Sequence, residues 1–466
     1  MIMEKFEEIE QKVVDLMGEF KIPGLSIGIV EQGKPIYAKG FGARNIEKNL
    51  PFTENTLFGI GSISKSFTAL ALLQLVQEGK INLQDPVNKY LNFKLGYNKN
   101  PIKVCHLLSH SSGIPELSAN VVALVRQLGN FNVSIPMSSW NDFFLHINNA
   151  ITEIFNVPDK NFFYNNDMFT CVGLIIEKLT NMKFEAYIKK KILEPLNMDR
   201  SFYLKEDFEK DNDVLTGYIP SEKKELYKET SHPFDKIVYA PGGLVSSARE
   251  MQNYIITLIN GGVFNNSKII QQSLLEQMWT PYIKIPEETL GGKDAWYGFG
   301  WMIEKDFFGH RLIHHGGDVG SSTSFLALIP EKKMGVIIGA NCNASIVLSS
   351  LAHLFLGFLL GIEINKTTPA LEIYKKLKSL TGKYSTYKNL ENINISFEND
   401  ILYAEIKESL DFFIPMKLPL VPEDIDELKF YVPIAYPNRK LKVQFFMDEQ
   451  TEKVYFIFDR YYFHKK

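Results

Sequence analysis

The sequence predicts an α/β domain followed by a separate all-β domain, and three observations carry that expectation. Strand-like runs stand at both ends of the first 366 residues, a strongly apolar helical segment lies between them, and after about Thr367 short alternating runs take over. At 466 residues the chain is too long for one compact core and suits one large and one small domain, 1–366 and 367–466. Hydrophobic residues at 45% and charged residues at 23% leave room for a sizeable core in each.

The elements follow in order. MIMEKFEEIEQKVVDLMGEF alternates acidic and apolar positions as an amphipathic helix does, with no cationic start, apolar run or cleavage site of an export signal, so a cytoplasmic location is expected. Residues 25–30 and 35–40 flank Glu31-Gln32-Gly33, the pattern of two strands joined by a tight turn. SISKSFTALALLQLVQE, residues 62–78, is apolar on most faces and stops at Gly79, which predicts a helix buried at the centre of its domain. Residues 81–285 mix helical stretches with Pro and Gly turns, and residues 325–340 return to strands broken at Pro330 and Gly335. Residues 346–362 approach the length of a membrane span, but Ser349, Ser350, His353 and Gly357 interrupt them, so a buried closing helix and no membrane contact are expected. In the tail, residues 393–397, 401–406, 441–446 and 454–458 recur between polar turns, the spacing of a barrel or sandwich.

A net charge of −3 provides no basic field for phosphates, which excludes nucleic acid and favours small molecules or short peptides as partners. Cys105, Cys171 and Cys342 are scattered and read as reduced and buried. Cys105, His106 and His110 lack the spacing of a metal site, and no metal or other cofactor is implied. Ser247 and Glu250 have the spacing of a capping box.

A serine hydroxyl becomes a nucleophile when a base stands one helical turn away, and Ser-x-x-Lys supplies that pair. The pattern occurs at Ser62/Lys65, Ser221/Lys224 and Ser385/Lys388. Ser62 alone opens an apolar helix, whose positive end favours the alkoxide while burial lowers the proton affinity of Lys65. The bland alternative, a helix cap beside a snorkelling lysine, fits the same two residues.

The segment FGIGSISKSFTA resembles the nucleophile region of the serine β-lactamase and penicillin-binding-protein superfamily, above all its class C-like, esterase and D-aminopeptidase branch. YNNDMFTCVGLIIEKLT is similar to the family's Tyr-x-Asn element, with Tyr164 and Asn166; LLSHSSGIP, PGGLVSSARE and YGFGW resemble further landmarks in the same order. LIHHGGDVGSS resembles the Lys/His-x-Gly strand, with His314 and Gly316 as the preferred register and His315-Gly316-Gly317 as the other. The likeness implies an antiparallel sheet flanked by helices with a helical subdomain. It also implies Ser62 as nucleophile, Lys65 and Tyr164 as a coupled base, backbone N–H groups of Ser62 and Gly317 as the oxyanion hole, and Asn166 on the substrate amide. His314 stands where many β-lactamases carry lysine, which shifts the expected substrates towards esters and small peptides or amides, D-configured ones included. A β-lactamase or D,D-peptidase and a non-catalytic acyl-binding sensor are the alternatives. LTGKYSTY resembles the start of lipocalin-like carboxy-terminal barrels in related hydrolases, which implies an entrance-narrowing or homo-oligomeric role.

Overall fold

The computed structural model describes residues 2–97, 99–129, 135–220, 227–286, 294–398, 400–406, 416–433, 440–447 and 453–466. Two compact units divide the chain, Met1–Thr367 and Thr368–Lys466.

The first unit is built on a nine-stranded sheet. Its strands are β1 (Gly24–Glu31), β2 (Lys34–Asn45), β3 (Leu50–Pro51), β4 (Ile283–Lys284), β5 (Ala295–Tyr297), β6 (Met302–Phe307), β7 (His310–Asp318), β8 (Thr323–Ile329) and β9 (Met334–Ala340). They run in the order β4-β5-β6-β7-β8-β9-β1-β2-β3, and neighbours pair antiparallel. Gln32 and Gly33 both have positive φ, the twist a two-residue hairpin between β1 and β2 needs. Every residue of β8 and β9 is buried, as expected of strands covered on both faces. One cover is α1 (Ile2–Glu19), whose Phe6 meets Phe355 and Phe358 of α2 (Ser345–Leu359). That closing helix lies within the stretch whose hydropathy approaches a membrane span; among the described residues no helix is long and apolar enough to cross a membrane.

The apolar segment after Ser62 divides into a 3-10 turn, Gly61–Ile63, and α3 (Ser64–Gln77), in which Ser64 to Leu75 are buried. Wrapping it are α4 (Asn166–Thr180) and α5 (Lys236–Gly242), with Thr68 Oγ1 donating to Ala240 O at 2.6 Å. Ser247 caps the helix Ala248–Ile259 by accepting from Glu250 N at 3.2 Å.

The second unit is a closed barrel of β10 (Gly382–Ser385), β11 (Asn392–Glu398), β12 (Ile401–Ile406), β13 (Met416–Asp424), β14 (Lys429–Pro433), β15 (Lys440–Met447), β16 (Val454–Phe458) and β17 (Tyr461–Lys465). Closure comes from β10 against β17, Tyr384 opposite Lys465 and Ser385 opposite His464. Inward-facing Tyr384, Phe445 and Phe463 pack around Phe456 with ring centres 4.8–5.0 Å from it, so side chains fill the centre.

Candidate active site

Ser62 sits on the 3-10 turn at the start of α3, part-exposed, in a setting that close backbone packing creates. Gly61 has φ +52, and a Cβ there would lie 2.4 Å from Asp318 N; a Cβ on Gly317 would lie 2.0 Å from Ile60 O. Two side-chain-free residues therefore let the Ser62 turn and the end of β7 touch.

One turn on, Lys65 is fully buried, and its Nζ reaches Ser62 Oγ at 3.0 Å, Asn166 Oδ1 at 2.7 Å and Pro241 O at 2.9 Å. Burial draws its proton affinity down from 10.5 to about 7, against an opposing pull from Glu116. The Tyr164 hydroxyl bonds Ser62, while the ring lies 4.7 Å from Lys65 Nζ. Burial raises the Tyr164 phenol far above its ordinary value, a rise that the Ser62 bond partly offsets, so the phenol keeps its proton near neutrality. Lys65, of the two, is the group able to give up its proton near pH 7 and so to accept one. Of the pattern repeats, Ser385 lies on a barrel strand, and Ser221 and Lys224 lie outside the described residues.

The preferred strand register requires correction. His314 points to the opposite face of β7, stacked on Phe325 at 5.4 Å with its Nε2 3.3 Å from Glu304 Oε1. His315 faces the nucleophile side, where its ring lies 6.2 Å from that of Tyr164. The pleat allows one of two adjacent residues on each face, so His315, and not His314, shares a face with Tyr164 and Lys65. The residue after Gly317 is Asp318. Val319 N donates to Ser322 O at 3.1 Å, and hydrogen-bonded pairs alternate along the β7–β8 ladder. Gly317 N–H is thus turned into the ladder opposite Ser324, while Asp318 N–H points to the other edge, beyond the last β6 partner at His314. Gly316 is part-exposed between them.

His315 is buried with both ring nitrogens engaged. Nδ1 lies 2.6 Å from Gly316 O, a pure acceptor, so Nδ1 carries the proton and Nε2 accepts from Tyr297 OH at 3.0 Å. Burial lowers its proton affinity to about 3, helped by the Lys65 charge, which keeps the ring neutral. His106, in contrast, is buried away from these groups, with its Nε2 3.2 Å from Oδ2 of the exposed Asp159.

Two further residues complete the surroundings: His110, weighed in the sequence only as a metal ligand, and Glu116, which the sequence did not single out. Buried His110 packs its ring 4.3 Å from that of Tyr164 and accepts from Asn165 N at 3.1 Å. Glu116 accepts from Asn166 N at 2.7 Å and Ser118 N at 2.9 Å, and burial raises its carboxyl above the usual range. Both fall in or beside LLSHSSGIP, where the signal was a landmark without assigned chemistry.

Comparison with known proteins places these observations. The sequence profile described as beta-lactamase matches residues 9–353, and that of the Pab87 octamerisation domain matches residues 364–464. The solved octameric penicillin-binding protein homologue from Pyrococcus abyssi is 37% identical, superposes with a TM-score of 0.89, and is covered over 99% of its chain by 98% of this one. Protein flp of Staphylococcus aureus (strain NCTC 8325 / PS 47) is 29% identical over 343 residues, 72% of this chain. The match spans 62% of that protein's own length. Penicillin-binding protein 4* of Bacillus subtilis (strain 168) is 23% identical over 96% of both chains.

Proposed function

The chain belongs to the beta-lactamase family, and from that premise we propose that it is a serine hydrolase working through an acyl-enzyme on Ser62. The observation that carries the reading is the fully buried Lys65 amine 3.0 Å from Ser62 Oγ. Neutral Lys65 takes the hydroxyl proton as Oγ attacks the acyl carbon, and the oxyanion forms between the backbone N–H groups of Ser62 and Asp318. The proton then passes from Lys65, by way of the Tyr164 hydroxyl, to the leaving group. Water replaces the leaving group in the second half-reaction and frees Ser62.

The substrates we propose are esters and short peptides or amides, D-configured ones included, that need no free carboxylate. A carboxylate anchor on β7 would require a cation or a free donor, and His315 offers neither. A β-lactamase or cell-wall D,D-peptidase stays the second reading, favoured by the relatives named as penicillin-binding proteins.

For the second unit we propose self-association. Its match to an octamerisation domain supports this, as does an outward aromatic stripe on β15–β17. Phe446 stacks on Tyr455 at 5.1 Å and Tyr455 meets Tyr462 at 5.1 Å, with Met447, Ile457 and Tyr462 exposed beside them.

The test is labelling with a fluorophosphonate and a fluorescent penicillin in wild type and Ser62→Ala, followed by p-nitrophenyl esters, nitrocefin and D- and L-aminoacyl amides. Loss of labelling in the variant and turnover of esters or amides are expected. Labelling that survives the substitution refutes the nucleophile, and a stable adduct without turnover refutes the hydrolase in favour of a sensor.

A further inference from the structure

Glu116 connects the two segments that hold the base of Ser62. Its Oε2 accepts from the backbone N–H of Asn166, the first residue of α4, at 2.7 Å, and its Oε1 accepts from Ser118 N at 2.9 Å. The Asn166 side chain in turn meets Lys65 Nζ at 2.7 Å. An unbroken path therefore runs from Glu116 through Asn166 and Lys65 to Ser62.

The connection is reciprocal. Asp167, the next residue of α4, accepts from Ala119 N at 3.1 Å and from Asn120 N and Nδ2 at 2.9 Å each, at the start of the helix Ala119–Gln127. Each carboxylate thus satisfies the open helix start of the other segment. The two differ in exposure. Asp167 is fully buried among its donors, which accounts for it as a structural cap, whereas Glu116 is part-exposed and its charge acts on both Lys65 and Tyr164.

We infer that Glu116 is a positioning residue of the acylation step: it holds Asn166 against Lys65 and supplies the counter-charge that governs when Lys65 releases its proton. The inference rests on the roles proposed for Ser62 and Lys65. Facing Lys65 are Tyr164 and Asn166 at the head of α4, His110, His315 from β7, Glu116, and the Pro241 carbonyl of α5. Both imidazoles are held neutral by burial, so they add no charge to Lys65. Glu116 itself faces Lys65 and Asp167. Burial lifts the Glu116 carboxyl to about 7, so it is an anion over the upper part of the range in which Lys65 titrates; there it stabilises the ammonium, and removing it makes the free amine available at lower pH. Removing the hydrogen bond loosens Asn166, and with it one of the partners that aim Lys65 at Ser62.

Fluorophosphonate phosphonylation of the full-length chain reads both effects without knowledge of the natural substrate. The Ser62 Oγ–P bond forms, the P–F bond breaks with loss of fluoride, and the serine proton goes to Lys65. Rates are measured from about pH 5 to about pH 9 for wild type, Glu116→Gln and Glu116→Asp, with thermal melting to verify folding. Glu116→Gln should shift the acid limb down by less than about one pH unit, because Glu116 is itself part-protonated over that limb. Glu116→Asp keeps the charge, so its limb should stay, but the shorter side chain should slow labelling about tenfold. An unmoved limb in folded Glu116→Gln overturns the charge role, whether or not the rate falls. A wild-type rate in Glu116→Asp overturns the positioning role, and does so even if Glu116→Gln fails to fold. Labelling that survives Ser62→Ala overturns the underlying site and this inference together, which separates that failure from the other two.

Discussion

Adding a single methyl group at Gly317 should disable the site, while the same addition one residue earlier should not. A Cβ at Gly317 would stand 2.0 Å from Ile60 O and 2.5 Å from Ser324 Oγ, whereas at Gly316 the nearest atom is Phe325 Cδ2 at 3.7 Å. Comfortable carbon contacts need about 3.5 Å, so Gly317→Ala must push the end of β7 away from the nucleophile turn by more than ~1 Å. The hydroxyl of Ser324 can rotate aside, but Ile60 O belongs to the backbone that carries Ser62. That displacement widens the gap between Ser62 N and Asp318 N, the two donors proposed for the oxyanion. A misplacement of about 1 Å in a reacting arrangement costs on the order of 100-fold, and loss of an oxyanion donor costs about 100- to 1,000-fold. The expected fall in kcat/KM for a p-nitrophenyl ester is therefore at least about 100-fold for Gly317→Ala and less than about tenfold for Gly316→Ala. Fluorophosphonate labelling and thermal melting on the same samples separate a damaged site from an unfolded chain. A folded Gly317→Ala protein with wild-type kcat/KM would refute the oxyanion geometry.

Three further outcomes follow from the same structure. Because Lys65 must be neutral to accept a proton and burial places its midpoint at about 7, the labelling rate should rise with pH through about 7; Lys65→Met should cost about 1,000-fold, and a flat profile would contradict the base assignment. His232 and His315 are neutral when folded, with proton affinities lowered to about 3 by burial, whereas unfolded histidine titrates near 6.5. The unfolded chain thus binds more protons between about pH 6.5 and about pH 3, and stability should fall with pH in that window by up to ~1.4 kcal/mol per unit per ring. Urea unfolding should show a shallower pH slope in His232→Gln; an unchanged slope would remove His232 from the account. In the barrel, Tyr455→Asp combined with Tyr462→Lys should reduce the oligomer seen by light scattering, and an unchanged mass would discard the aromatic stripe as the contact.

Much of this was legible in the sequence because it is local. The helix behind Ser62 is dictated by an unbroken apolar run, and the hairpin of β1 and β2 by a turn whose residues tolerate positive φ. The order of short landmarks carried the family. What was not legible depends on meetings between distant residues. His314 and His315 both fit the strand pattern, and the pleat that separates them is set by partners on β6 and β8. Glu116 reads as an ordinary acidic residue ahead of a helix until Asn166, fifty positions later, comes to its carboxylate. Barrel and sandwich differ in whether the first tail strand meets the last, and β10 pairs with β17 eighty residues along.

The placement of β1 has a consequence for how the chain is made. This strand is made well before β9, its partner on the side opposite β2, with Leu25 against Ala340 and Glu31 against Met334. Until some three hundred further residues have been synthesised, one edge of an apolar hairpin has no native partner, and the sheet against which the Ser62 turn packs is incomplete. Translation proceeds at about 5–20 residues per second, so that edge is open for tens of seconds on a nascent chain. Any acylating reagent encountered before β7 is made meets Ser62 without Asp318 N, the second donor proposed for the oxyanion. The arrangement proposed for hydrolysis thus forms on a complete sheet only after β9 has been made.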